Sequence, residues 1–175
     1  MRAVLLAFCI SLAVVISNVR AGCSVMRQAP LFKQCDGAWG MNKLGSSSTI
    51  CSSGALISAI ASGLNSLEKT LEGKVVTPAV LNDYLLRNNG YYGNLFIWAS
   101  LTKYGLTYEG QSTIKPEIKQ YICDTSLVFL NVNGGSHWVL ANSWEGDTFY
   151  VNDSLYNKGT YSSCDITLAA VYSLS

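Results

Sequence analysis

The sequence predicts an α+β domain, helices first and an antiparallel sheet afterwards. Three observations carry this. Gly54-Ala55-Leu56-Ile57-Ser58-Ala59-Ile60-Ala61 is apolar nearly all round, which marks a buried helix. Thr77-Pro78 has the chemistry of a helix start, with threonine at the N-cap and proline in the first turn. Further on, the stretches Ser126 to Val132, His137 to Asn142, Thr148 to Val151 and Leu168 to Ser173 are rich in Val, Leu, Phe and Tyr and read as strands.

Taken in order, the chain begins Met1-Arg2, runs apolar from Ala3 to Ile16 and reaches Val19-Arg20-Ala21-Gly22. A basic start, an apolar run and small residues at a Val-x-Ala site predict a secretory signal peptide over residues 1–21, followed by one domain over 22–175. The run is short for a bilayer span, which needs about 20 residues. Arg20 stands where a bacterial lipidation site wants an aliphatic residue. A turn-rich opening, Leu31 to Gly40, and a polar loop, Gly45 to Thr49, precede the first helix, with Ser52-Ser53 available as caps. The second helix runs from Pro78 to about Arg87 and stops at Asn88-Asn89-Gly90. A third is expected from about Asn94 to Tyr104, ending at Gly105, and a short fourth opens at Lys115-Pro116.

Hydrophobic residues make up 49% of the 175 and charged residues 13%, with a net charge of +1, a composition for folding and not for disorder. Nothing basic is clustered, so there is no electrostatic footprint for nucleic acid or an anionic membrane. Export implies an oxidising compartment and disulfides. Without Cys9 the mature chain keeps Cys23, Cys35, Cys51, Cys123 and Cys164, an odd number that leaves one unpaired or joined to another molecule. Topology favours Cys123 with Cys164, each just ahead of a strand, and Cys35 with Cys51 as the next candidate. Wide cysteine spacing and a single histidine argue against a metal centre, and no cofactor is expected.

That histidine, His137, and Asp153 flank a hairpin whose turn residues are Ser143 to Asp147. A turn centred on Glu145 sets the two directly opposite on adjacent strands, with Cβ atoms about 5 Å apart. This separation suits an imidazole oriented by a carboxylate, the supporting half of a nucleophilic triad. Asn142-Ser143-Trp144 imitates the orienting asparagine of papain. It lies an odd number of residues from His137, however, and alternation sends it to the other face. Asn152-Asp153-Ser154 is also a glycosylation sequon, with Asn152 pointing away from Asp153. Trp39 and Trp98 read as core or loop-anchoring aromatics.

The order of several short motifs resembles a known family. These are Gln34-Cys35-Asp36-x-x-Trp39-Gly40, Leu44-Gly45, Thr49-Ile50-Cys51-Ser52-Ser53-Gly54, Thr77-Pro78-x-x-Leu81-Asn82, Gly90-Tyr91, Gly93-Asn94-Leu95-Phe96, His137-Trp138-Val139 and Val151-Asn152-Asp153. Together they resemble family 39 of the papain-like cysteine peptidases, the bacteriocin-leader-processing type, in its secreted stand-alone form. The resemblance implies an N-terminal buried helix packed on a C-terminal antiparallel sheet, and thiol-dependent amide hydrolysis of a peptide or protein. It assigns His137 as base, Asp153 as its orienter and Gln34 as an oxyanion donor. Where the family carries its nucleophilic cysteine, after Ser-Gly, this chain reads Ser53-Gly54-Ala55. A methyl group cannot attack a carbonyl. Three accounts of Ala55 stand open: a natural pseudopeptidase, a replaced cysteine, or an offset in which Cys51 or a nearby serine serves. The functional readings are accordingly a peptide-binding pseudopeptidase, an active thiol peptidase or amidase whose cysteine was substituted, and a structural or assembly protein reusing the scaffold. Oligomeric state cannot be read from the sequence.

Overall fold

The computed structural model describes residues 22–23 and 26–175. The expected signal peptide lies outside the described residues. Among those described, no helix is long and apolar enough to cross a membrane.

Three short ribbons and four helices precede or accompany one antiparallel sheet. The ribbons are β1 (Lys43–Leu44) with β2 (Ser48–Thr49), β3 (Thr70–Leu71) with β4 (Lys74–Val75), and β5 (Tyr91–Tyr92) with β6 (Leu95–Phe96). The helices are α1 (Ile50–Ser53), α2 (Ala55–Ser66), α3 (Pro78–Arg87) and α4 (Lys115–Cys123). The sheet holds β7 (Leu106–Ser112), β8 (Leu127–Val132), β9 (His137–Glu145), β10 (Thr148–Asn152), β11 (Thr160–Ser162) and β12 (Leu168–Leu174). Its order is β11-β10-β9-β8-β12-β7, with every neighbouring pair antiparallel.

The sheet is covered on both faces. Leu127, Phe129, Leu140 and Tyr172 on one face share a core with Ile57, Ile60 and Leu64 of α2 and with Leu81 and Leu85 of α3. Val128, Leu130, Val139, Ala141, Val151 and Val171 on the other share a core with Ile118 and Ile122 of α4. Two-sided burial explains why β8 reads as an unbroken apolar run and not as an alternating one. Motif residues fasten the ribbons to the helices. Asn82 Nδ2 donates to the Lys43 carbonyl while its Oδ1 accepts from the Tyr91 hydroxyl. Asn94 Oδ1 accepts from the backbone N–H groups of Ser46 and Ser47.

Several expectations need correction. Thr49, and not a serine at 52 or 53, provides the N-terminal cap, in a reciprocal capping box with Ser52. Its helix is the single turn α1, so Cys51 is helical and not in loop. The expected third helix is instead the β5–β6 ribbon followed by a 3-10 helix, Trp98–Tyr104. Gly93 adopts φ +62° at the ribbon's turn, which breaks a helix started at Asn94. Strands β7 and β11 carry no apolar alternation strong enough to read. β7 contains Glu109, Gly110 and Gln111 and lies at the sheet's edge.

Of the two expected cysteine pairs, Cys35–Cys51 forms and Cys123–Cys164 does not. Cys23 bonds Cys123 and Cys35 bonds Cys51, leaving Cys164 exposed and free. Cys23 precedes any regular element, yet the Cys23 N–H donates to the Trp144 carbonyl and so lays the N-terminal segment along β9 beside α4. Peptide mapping under non-reducing conditions is expected to recover the Cys23–Cys123 and Cys35–Cys51 links and, among the described residues, one alkylatable thiol, at Cys164. Breaking the 100-residue Cys23–Cys123 loop with Cys23→Ser should lower unfolding free energy by about 2–5 kcal/mol, read from denaturant midpoints.

Candidate active site

The β9–β10 hairpin turns at Gly146-Asp147, one and a half residues later than a turn centred on Glu145. Gly146 takes φ +55°, the left-handed conformation such two-residue turns require. From the turn, Glu145 pairs with Thr148, Trp144 with Phe149 and Ser143 with Tyr150. Continued without change, that register would set Asp153 opposite Leu140, on the face away from His137. It does not continue. Val151 pairs with Ala141, so Asn142 is the extra residue of a β-bulge. Beyond the bulge Asn152 faces Leu140, and Asp153, just past the end of β10, falls on the face of Val139 and His137.

His137 and Asp153 are therefore diagonal, not directly opposed. Their side chains still meet, with Nε2 2.8 Å from Oδ1 and the two residues 2% and 1% exposed. Oδ1 also accepts from the backbone N–H groups of Leu155 and Tyr156, at 2.9 and 2.8 Å, and Oδ2 accepts from the Tyr161 hydroxyl at 2.7 Å. Burial pushes the Asp153 carboxyl up, but hydrogen bonds from His137, Tyr161 and the two backbone groups outweigh it and hold the carboxyl well below the usual range. An ionised carboxylate can only accept, so the histidine hydrogen sits on Nε2. In the neutral ring Nδ1 then carries the free lone pair, and it has no hydrogen-bond partner among the described residues. The edge of the ring packs against Tyr156, centroids 5.0 Å apart.

Gln34 is 2% exposed and held at both ends. Its Nε2 donates to the Cys51 carbonyl at 2.7 Å, and its Oε1 accepts from the Ser154 hydroxyl at 3.0 Å. The backbone repeats the link, with the Gln34 N–H donating to the Ser154 carbonyl and Lys33 Nζ donating to that of Asp153. Gln34 thus joins the Asp153 loop to α1, the turn just before Ala55. One of its two amide N–H groups is left after the Cys51 contact.

Ala55 is buried and opens α2. The short α1 and the longer α2 meet at Gly54, where an added Cβ would lie 2.4 Å from the Ile50 carbonyl oxygen, so only glycine fits. α2 packs on the sheet face opposite to His137, and the connection between Ala55 and the imidazole runs through Gln34 at the end of the sheet. Cys51 is bound to Cys35 and has no thiol to offer, while Ser52 and Ser53 are exposed, with Ser52 engaged in the cap.

The papain-like decoy is structural. Asn142 Nδ2 donates to Asn152 Oδ1, on the α2 side of the sheet. Asn152 Nδ2 in turn reaches the carbonyls of Ala29 and Pro30 and the Ser62 hydroxyl, so the sequon nitrogen is occupied inside the fold. Trp39 anchors a loop by donating to the Lys33 carbonyl, and Trp98 stacks on Tyr108. Sequence reading missed Tyr161, Tyr156 and Ser154. The run Asp153-Ser154-Leu155-Tyr156 carried a signal for part of this, since aspartate accepting from the N–H groups two and three residues on is an Asx turn. Tyr161 lies on another strand and carried none.

The depressed carboxyl fixes the sign of a pH effect. Its stabilisation is fully present above the unfolded value of about 4 and fades as pH falls from there toward the folded value. Asp153→Asn should cost about 3–5 kcal/mol at pH 7, and thermal melts of the two proteins should converge as pH falls below about 4.

No family model matches the chain, and no curated protein is significantly similar to it in sequence. Among solved structures it is similar to a double glycine motif protease from an AMS/PCAT transporter, determined in complex with the leader peptide. The two superpose with a TM-score of 0.55 at 14% identity, over 88% of this chain and 98% of the other. The chain thus shares the fold of that structure, a mixed arrangement of helices and antiparallel sheet, and on it carries a buried His137–Asp153 pair.

Proposed function

We propose that the chain is a secreted, papain-like pseudopeptidase that binds a peptide and does not cleave it. The observation that carries the reading is the buried His137–Asp153 pair in a chain that shares the fold of a double glycine motif protease, and the Ser53-Gly54-Ala55 motif supports Ala55 as the nucleophile position. In an intact site of this kind, a thiol at position 55 attacks the amide carbonyl and His137 Nδ1 takes its proton. Asp153 holds the ring and stabilises the imidazolium, and the remaining Gln34 N–H meets the oxyanion. With a methyl group at 55 the first step has no nucleophile, and removing one member of such a unit removes nearly all its rate advantage. Cys51, the other cysteine near the helix start, is held in a disulfide and does not substitute.

What remains is a binding capacity. The structural neighbour was determined with a leader peptide, which supports a peptide as ligand here. Two disulfides support a location in an oxidising compartment.

The protein as it stands should bind a peptide carrying a double-glycine motif, read by fluorescence anisotropy, without turnover over hours. In Ala55→Cys the new thiol should react with iodoacetamide at mildly acidic pH faster than a free cysteine, because a helix N-terminus lowers a thiol pKa and an imidazole within reach of the sulfur would lower it further. Peptide or amide hydrolysis should appear with it, and adding His137→Ala should abolish it. Hydrolysis by the unaltered chain would mean that an active peptidase draws its nucleophile from elsewhere. An Ala55→Cys thiol no more reactive than free cysteine would leave only the scaffold role.

A further inference from the structure

A second site lies at the opposite end of α2. Ala55 opens that helix and Ser66 closes it, about 16 Å apart along the axis. Beside Ser66 is a pocket of about 470 Å³, walled by Met26, Arg27, Leu67, Ile122, Asn142 and the Cys23–Cys123 disulfide. Its volume lies in the range of small-ligand sites.

Two polar groups in its wall are incompletely used. Arg27 Nη1 donates to the Ser66 hydroxyl, and Nη2 donates to the carbonyls of Thr125 and Ser126. A guanidinium has five N–H groups, so two remain, and no carboxylate pairs with this cation among the described residues. Burial pushes the Arg27 pKa down, as expected for a desolvated cation without a counter-ion. Asn142 is the bulge residue. Its carbonyl, released from the ladder, accepts from the Arg27 N–H at 2.9 Å, which sets the two residues side by side. Its Nδ2 is spent on Asn152, and its Oδ1 is buried with no partner among the described residues. A buried acceptor left empty is unfavourable.

We infer that this pocket binds the C-terminal residue of an apolar peptide, with the terminal carboxylate on Arg27, the last amide N–H on Asn142 Oδ1 and the side chain against Met26, Leu67 and Ile122. An anion, a hydrogen-bond donor and an apolar group close together are what the three kinds of wall lack. The site is separate from the Ala55 end of the helix and does not depend on its chemistry. The bulge serves both ends, since the same extra residue that returns Asp153 to the face of His137 turns Asn142 toward Arg27.

The test is an NMR titration of the whole protein with N-acetyl-L-leucine. Saturable shifts are expected at Arg27, Leu67, Thr125 and the Asn142 side-chain amide. N-acetyl-leucinamide, which lacks the charge, should bind at least tenfold more weakly. Acetyl-Ala-Ala-Leu should bind at least as well as N-acetyl-leucine, and free leucine more weakly, because its ammonium would sit beside the Arg27 cation. Arg27→Gln should weaken binding at least tenfold. Because that change also removes three contacts within the fold, Met26→Glu serves as the second variant. Met26 is 44% exposed, so the substitution leaves the fold intact while putting a competing carboxylate into the pocket, and a tenfold loss is again expected. Equal binding of acid and amide, preference for free leucine over the tripeptide, indifference to Met26→Glu, or shifts gathered at His137 and Tyr156 would each overturn the proposal. So would the absence of saturable shifts, which would leave Arg27 as a cap on the end of α4 only.

Discussion

Between Tyr150 and Val151 the β9–β10 ladder skips one residue, Asn142, and the polar half of the molecule depends on that skip. Side chains alternate strictly along a strand, so a single inserted residue exchanges the two faces from that point on. Up to the bulge, Trp144 and Phe149 point into the α4 core. Past it, Ala141, Val139 and His137 occupy the same face. On β10, which has no insertion, Phe149 and Val151 lie on that face with Asp153 next in the alternation. Both strands thus deliver apolar residues to one core, and their ends bring an imidazole and a carboxylate together there.

The pair is expensive to keep. Removing both groups from water costs several kcal/mol, and mutual attraction alone does not repay it. Four donors on one carboxylate, from His137, Tyr161 and the N–H groups of Leu155 and Tyr156, supply the rest. Apolar side chains of similar size would fill the space at less cost. On the proposed reading, a fold that retains this arrangement with a methyl group at Ala55 would keep the support of a catalytic site without its reacting atom.

The disulfides act on the same architecture from outside. Cys35–Cys51 ties the Gln34 segment to α1, and the Gln34 amide and backbone tie it onward to Ser154. Cys23–Cys123 ties the N-terminal segment to the end of α4, where Arg27 already grips the Thr125 and Ser126 carbonyls. Cys35–Cys51 holds α1, the turn ahead of α2, and Cys23–Cys123 lines the pocket beside the other end of α2. The stapling secures the described residues before β1, which form no helix or paired strand of their own and are anchored by backbone contacts to Trp144, Asn142 and Ser154.

Much of this was legible in the sequence where the deciding forces are local. Thr77-Pro78 and Lys115-Pro116 started helices, Gly105 ended one with φ +71°, and Gly146-Asp147 lay within the turn region between two apolar runs. The α+β order followed from hydrophobic periodicity, and the candidate base and orienter from one short hairpin. The third helix failed because Gly93-Asn94 favours a turn whose partners, Ser46 and Ser47, are far along the chain. Cys164 was assigned to Cys123 because the irregular N-terminal stretch gave no sign that it lies along β9. The bulge at Asn142, the Tyr161 hydroxyl on Asp153 and the position of Gln34 between two distant segments all had to wait for the tertiary structure. Propensity, capping and turn chemistry act over a few residues and are written in them. Register, disulfide choice and the filling of buried hydrogen-bond capacity are settled by whichever remote groups pack together, and that is decided only when the two faces of the sheet close over their cores.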